Sequence, residues 1–338
     1  MSNTHTPAQR LLAAVLAATL ALPLTACAQS QPAATTAAAT TTAATTTAAT
    51  TTATTTTSAP APTAEITDVT TIAYLGPAGT YTEEATKLFF GSNDELQPQK
   101  AVAEALALVA DGQAAYAVIP QENTLGGPTI DYIDALLATK GVSVVGEVIL
   151  PIRQTLMALP GTDLSQVKTI YSHKQGLLQS AAWLDEHLPN AERVEKSSTA
   201  AAAQEVSESG DQTVAAIAAP GAAELYQLEV LQANVSQSEA NKTRFYVVAR
   251  DANKLEGYGR ALFVVDATAE QLPALLNEAC TGDTKLVCVH DRPDGTQLGS
   301  YHFVVELACD KGFADAELAR LQGIDGFRFL GRYACIEG

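Results

Sequence analysis

Short apolar runs alternate with amphipathic stretches from Thr71 to the C-terminus, and their spacing predicts an α/β protein. Thr71 to Leu75 reads as a strand, Gly76 to Gly79 as a turn, and Thr80 to Phe90 as a helix whose Thr80 and Glu83 have capping-box spacing. An amphipathic helix follows around Val102 to Ala110, then a buried strand from Ala114 to Ile119 that runs into Pro120-Gln-Glu-Asn-Thr-Leu-Gly-Gly127. Further strands are predicted over 142–150, 168–171 and 211–219, with helices from Ser172 to about Leu188 and from Pro220 to about Tyr226. Polar groups gather at several strand ends, where α/β folds keep their ligands. Beyond Gly257 the pattern is strand 261–266, helix 270–279, strands 284–291 and 300–308, helix 314–322 and strand 327–333.

The first 65 residues describe an address instead of a fold. Leu11 to Leu24 is an apolar run too short to span a bilayer as a permanent helix, which is the pattern of a signal-peptide core. It ends in Leu24-Thr-Ala-Cys27, which resembles a bacterial lipoprotein cleavage box and implies lipidation at Cys27. Residues 28–67 are nearly all Ala and Thr and cannot bury enough apolar surface to offset their ordering entropy, so a disordered tether is expected. The chain is therefore expected outside the cytoplasm, lipid-anchored to a cell membrane's outer face or within a periplasm.

With 20 Lys and Arg against 37 Asp and Glu the net charge is −17, and no basic run occurs, which argues against nucleic acid or an anionic membrane surface as partner. An anionic small substrate must then be held by a few local groups. Lys242-Thr-Arg244, directly before the apolar run Phe245 to Ala249, is one place to look for them.

Six motifs in order carry a family resemblance. Gly76-Pro-Ala-Gly-Thr-Tyr-Thr-Glu-Glu-Ala85, Pro120-Gln-Glu-Asn-Thr124, Ser172-His-Lys-Gln-Gly-Leu-Leu-Gln179, Ser198-Thr-Ala-Ala-Ala202, Ala215-Ala-Ile-Ala218 and Asn241-Lys-Thr-Arg-Phe245 resemble those of prephenate dehydratases. The resemblance implies a catalytic domain over 68–252 that converts prephenate to phenylpyruvate, with loss of carbon dioxide and water, in phenylalanine biosynthesis. No metal or organic cofactor is expected. Such chemistry needs a donor to the departing hydroxide, groups that hold two carboxylates, and a site that excludes water.

By resemblance, Thr243 donates to the leaving hydroxyl and Arg244 helps hold the carboxylate side. Thr80, Glu122, Asn123, Thr124, Ser172, Lys174, Gln175, Asn241 and Phe245 are the implied substrate-site residues. Several carry a second reading. Thr80 also caps a helix, Phe245 reads as a wall, and His173 reads as a packed hydrogen-bond partner. Glu122 is an organiser as readily as a base, because a carboxylate facing a dianion is costly unless protonated or paired. The chain departs from the family at Gln121, Thr124 and Lys174, where Ile, Ser and Pro are usual, and near Gln154, where His is often seen.

The catalytic segment is expected to form two α/β lobes, similar to periplasmic binding proteins, with the chain crossing near Leu150 and returning near Gln232. Residues 257–338 have the ferredoxin-like βαββαβ order and resemble an ACT regulatory domain, which implies a homodimer and phenylalanine as candidate effector. Its effector motifs are altered: Gly259-Arg-Ala261-Leu262 and His290-Asp-Arg292-Pro293 stand where the family has Gly-Ala-Leu and Glu-Ser-Arg-Pro. Cys280, Cys288, Cys309 and Cys335 all fall here. They read as two disulfides, Cys280 with Cys309 and Cys288 with Cys335, or as four buried free thiols; no close Cys-x-x-Cys pair supports a metal site. An alternative reading of the whole chain is an exported, lipid-anchored binding protein or inactive receptor for an aromatic or dicarboxylic compound.

Overall fold

The computed structural model describes residues 70–91, 94–236, 238, 240–250 and 258–338. Signal peptide, Cys27 and tether lie outside the described residues. Strand β1 (Thr71–Leu75) has a buried centre and leads to helix α1 (Tyr81–Phe90), strand β2 (Glu95–Gln99) and helix α2 (Val102–Ala110). β1 runs parallel to β2 and to β3 (Tyr116–Asn123). β3 continues four residues past the predicted end, and its ladder shifts register at Pro120, which has no N–H to give. β4 (Gly127–Pro128) folds back on β3, α3 (Ile130–Ala138) follows, and β5 (Ser143–Pro151) returns to the sheet. β5 is buried without alternation because it is covered on both sides: Val145 and Val148 pack with α1, and Val144 packs with α2 and α3.

At Pro151 the chain leaves this sheet and builds another. β6 (Thr155–Ala158), β7 (Thr169–Ser172), α4 (Lys174–Gln179), α5 (Ala181–His187), β8 (Glu192–Glu195), α6 (Thr199–Ser209), β9 (Val214–Ala218), α7 (Gly221–Leu225) and β10 (Glu229–Gln232) give the sheet order β10-β6-β9-β7-β8. The single helix expected after Ser172 is two helices, broken at Ser180. Small residues on β9 and α6, among them Ala216, Ala218, Ala202 and Ala203, form one core. The chain then crosses back, and β11 (Lys242–Ala249) inserts between β3 and β5, antiparallel to both.

The C-terminal segment adds β12 (Arg260–Thr268), α8 (Leu272–Ala279), β13 (Thr284–Pro293), β14 (Ser300–Cys309), α9 (Asp315–Gln322) and β15 (Phe327–Glu337), with sheet order β13-β14-β12-β15. Strand alternation gives β12 a role in two cores. Ala261, Phe263 and Val265 face α8 and α9, while Leu262 and Val264 join Tyr246 and the apolar faces of α2 and α3. β15 outlasts its prediction: Ala334 to Glu337 run parallel to β5, so one ten-stranded sheet spans both segments. Gly331 permits the approach, since a Cβ there would sit 2.0 Å from the Val144 carbonyl oxygen. Among the described residues no helix is long and apolar enough to cross a membrane.

Candidate active site

A cavity of about 590 Å³ opens where the crossings meet the two sheets. Thr243, Asn123, Tyr81 and residues 126–131, from β4 into the start of α3, line one side; Gln154, His173, Gln175, Gln179 and Thr199 line the other. Thr243 stands at the start of β11, paired with Asn123 of β3 and Leu150 of β5. Its Oγ1 accepts a hydrogen bond from Asn123 Nδ2 at 3.0 Å. A hydroxyl oxygen that accepts from an amide keeps its own proton free to donate, and the amide strengthens that donation.

Asn123 is held in this role by its surroundings. Its Oδ1 accepts from the backbone N–H groups of Leu125 and Gly126, both at 2.9 Å, which fixes the amide orientation. Its Nδ2 also reaches Asn241 Oδ1 at 2.8 Å and the Lys242 carbonyl at 3.0 Å. Thr124 clamps the same turn: its hydroxyl donates to the Ala240 carbonyl at 2.6 Å and accepts from Lys242 N–H at 3.0 Å. Thr124 and Asn241 therefore shape the site by positioning Asn123.

On the far wall, buried Gln154 donates from Nε2 to Gln179 Oε1 at 2.8 Å, and its Oε1 accepts from the Tyr81 hydroxyl at 3.2 Å. This chain of three side chains joins α1, the first crossing and α4. His173 is exposed and caps α4, its Nδ1 accepting from Gln175 N–H at 3.3 Å, so it is a hydrogen-bond partner without being packed. Lys and Arg are absent from the described lining; Asp131 and His173 are its charged or chargeable groups besides Tyr81. The donors that these lining side chains offer an anion are amides and hydroxyls.

Other implied site residues lie elsewhere. Thr80 caps α1 and lines a separate cavity of about 110 Å³ beside α7. Ser172 is fully buried and donates to the Ile217 carbonyl at 2.7 Å, tying β7 to β9. Lys174 is an exposed first residue of α4 and does not line the cavity. Phe245 is 1 % exposed and packs with Ile72, Tyr74 and Val148 in the core, and it does not line the cavity.

The model of the prephenate dehydratase family matches residues 72–253. A prephenate dehydratase of Amycolatopsis methanolica is 33% identical over 275 residues, covering 79% of this chain and 89% of that protein. One from Corynebacterium glutamicum is 36% identical over 250 residues, covering 71% and 78%. The crystal structure of a prephenate dehydratase from Arthrobacter aurescens in complex with L-Phe superposes with a TM-score of 0.70 at 34% identity, over 78% of this chain and 90% of that one. The chain belongs to the prephenate dehydratase family.

Its family motifs converge only in part on the cavity. Tyr81, Gln179 and Thr199 stand inside those motifs and line the cavity without being among the implied site residues, and Gln154, where the chain departs from the family, lines it too. In the Thr-Arg-Phe motif, adjacent side chains part company. Arg244 Nε lies 2.7 Å from Glu147 Oε1 and its Nη1 bonds Glu306, both carboxylates fully buried. Arg260 approaches the same pair at 3.6 and 3.9 Å. Burial opposes the Arg244 charge, but Glu147 and Glu306 outweigh it and raise its pKa further. Glu147 is pushed up to about 7 by burial and by Glu306, against the pull of Arg244 and Arg260. Arg244 is thus a strut to β14 and is not brought to the cavity. Glu122, paired opposite Arg244, does not line the cavity; its charge acts on Cys288 and His290.

In the C-terminal segment Arg292 forms a two-pronged pair with Asp134 of α3, at 2.5 and 2.6 Å, and Pro293 ends β13 beside it. Gly259 accepts from Cys309 N–H, and Ala261 and Leu262 are buried in opposite cores. The disulfide expectation is corrected: Cys280, Cys288, Cys309 and Cys335 are all free. Cys288 on β13 and Cys335 on β15 are separated by β14 and β12, roughly 14 Å at about 4.8 Å per strand, twice the reach of a disulfide. Cys288 instead donates to Glu306 at 3.4 Å, and Cys280 and Cys309 are packed in the α8–α9 core. Burial pushes the Cys288 and Cys335 thiols up to about 12. Among the described residues no group of three His, Cys, Asp or Glu gathers as a metal site would require.

Proposed function

We propose that the Thr243 cavity converts prephenate to phenylpyruvate, carbon dioxide and water, as in phenylalanine biosynthesis. The observation that carries this is the Asn123–Thr243 pair: a hydroxyl whose oxygen is already satisfied by a fixed amide, lining a cavity at the junction of the sheets. Thr243 donates a hydrogen bond to the ring hydroxyl as its bond to carbon lengthens; hydroxide departs and takes a proton from solvent to become water, while the electron pair of the breaking bond to the carboxylate, which leaves as carbon dioxide, completes the aromatic ring and drives the step. Neutral donors from Gln175, Gln154 and the 126–131 segment orient the substrate's carboxylates without solvating them as water does, which favours decarboxylation.

The wider reading follows from the same residues. The body of residues 70–250 is a two-lobed, periplasmic-binding-protein-like catalytic domain, with crossings at 151–155 and 232–242. Residues 257–338 are an ACT-like domain whose strand order supports that assignment, with homodimerisation as its role and L-phenylalanine, the ligand of the Arthrobacter structure, as candidate effector. The N-terminal region exports the chain as a lipoprotein anchored through Cys27.

The test is phenylpyruvate formation from prephenate by the purified chain and by Thr243→Ala. Turnover that collapses in the variant supports the dehydratase. Calorimetric prephenate binding that survives Thr243→Ala, without turnover in either protein, would instead identify an exported binding protein. For the anchor, Cys27→Ala should move the chain from membranes to the soluble fraction; an unchanged distribution would refute lipidation at Cys27.

A further inference from the structure

A second cavity, about 560 Å³, lies against the two crossings, with Arg153, Lys242, Asn241 and Asn234 among its wall residues. Ile152 lines both this cavity and the catalytic one. In a chain with 37 acidic and 20 basic residues, this wall carries two cations and no carboxylate among its described residues. Counter-charges lie outside it: Glu337 Oε2 is 3.6 Å from Lys242 Nζ, and Arg153 acts on Glu84.

Asn241 is 2 % exposed, and its Nδ2 has no hydrogen-bond partner. The orientation of this amide follows from its neighbours. Leu125 and Gly126 N–H groups fix Asn123 Oδ1, so Asn123 presents Nδ2 to Asn241; Asn241 must answer with Oδ1, and its NH₂ is the end left over. A buried donor without an acceptor is costly, and a bound acceptor would remove that cost.

We propose that this rear cavity is a second ligand site for a small organic monocarboxylate with an apolar body. The carboxylate takes Asn241 Nδ2, Arg153 and Lys242; the body lies against Pro151, Ile152 and Val230. The occupant reaches the chemistry through one amide, because Asn241 Oδ1 and Thr243 Oγ1 both accept from Asn123 Nδ2. Loading Asn241 changes the hydrogen bond that Thr243 receives. The effect on turnover rests on the dehydratase reading, whereas the site does not.

The test uses 3-phenylpropionate as probe, the full chain, and the double variant Arg153→Gln/Lys242→Gln. We expect a change in kcat that saturating prephenate does not reverse, with the half-effect concentration and the calorimetric Kd both raised about tenfold or more in the variant. The variant's kcat and KM without probe should match the parent within about twofold. Purely competitive inhibition, or equal probe affinity in both proteins, overturns the proposal. If neither protein turns over prephenate, calorimetry still decides: charge-sensitive binding keeps the site while the dehydratase reading falls. Lys242→Gln alone, with an expected weakening of about threefold, serves if the double variant unfolds.

Discussion

Replacing Arg244 by Met keeps the aliphatic stem and removes the charge between two buried carboxylates. Glu147 Oε1 lies 2.7 Å from Arg244 Nε, and Glu306 is bonded to Nη1; neither glutamate has exposed surface. Arg260 stands at 3.6 and 3.9 Å from them, too far to take over the close contacts that Arg244 makes. Removing one partner of a buried ion pair leaves an uncompensated charge, at a cost of about 3–5 kcal/mol. That is a large share of the roughly 5–15 kcal/mol that holds a domain folded. Adding Glu306→Gln to Arg244→Met removes one stranded charge and should return about 1–3 kcal/mol, a coupling that a double-mutant cycle reads directly. The assay is urea unfolding at pH 8, with initial rates of phenylpyruvate formation taken where the variant is still folded. The expected result is a stability loss of several kcal/mol with KM changed by less than about threefold. An Arg244→Met chain within about 1 kcal/mol of the parent, with KM raised about tenfold or more, would place Arg244 on the substrate and refute the strut.

Thr243→Ala should lower kcat by about 10²–10³, the loss expected for one donor to developing charge, while stability moves by about 1 kcal/mol or less because Asn123 Nδ2 keeps Asn241 and Lys242 as acceptors; stopped-assay kinetics beside thermal melts check both. Glu147 holds its proton more tightly folded than unfolded, so stability should fall as pH rises from the ordinary glutamate range towards about 7 and level off above it, by up to roughly 3 kcal/mol. Glu147→Gln should abolish that slope in unfolding curves across the interval; an unchanged slope would assign it to another group. Gly176→Ala puts a Cβ 2.4 Å from Ser172 Oγ and should cost about 1–3 kcal/mol, partly relieved by adding Ser172→Ala; a double variant less stable than Gly176→Ala alone would contradict the clash. Residues 258–338 should show the same four reactive thiols after denaturation with and without prior reductant, since the sulfurs are unpaired.

Element types were legible along the chain because apolar periodicity and caps are local. Thr80 and Glu83 announce the start of α1, and the βαββαβ order of the C-terminal segment is readable residue by residue. Ends were less legible where the partner decides: β3 runs on to Asn123 because β11 pairs with it, and β15 to Glu337 because β5 does. The motif residues were legible as residues, Thr243 and Asn123 above all. Their roles were not, since Arg244 beside Thr243 and Ser172 near Gln175 turn to other neighbours.

Composition and periodicity were enough to read an acidic α/β chain, and the order of six motifs carried its resemblance to the prephenate dehydratase family, because those signals depend on residue type and spacing alone. Tertiary structure decided what each polar side chain meets. Strand alternation sends Arg244 to Glu147 and Glu306, and parallel pairing draws β15 onto β5 where Gly331 has no Cβ. Three intervening strand spacings keep Cys288 from Cys335. Each outcome depends on which distant strand lies alongside, a long-range fact that no local window of sequence contains.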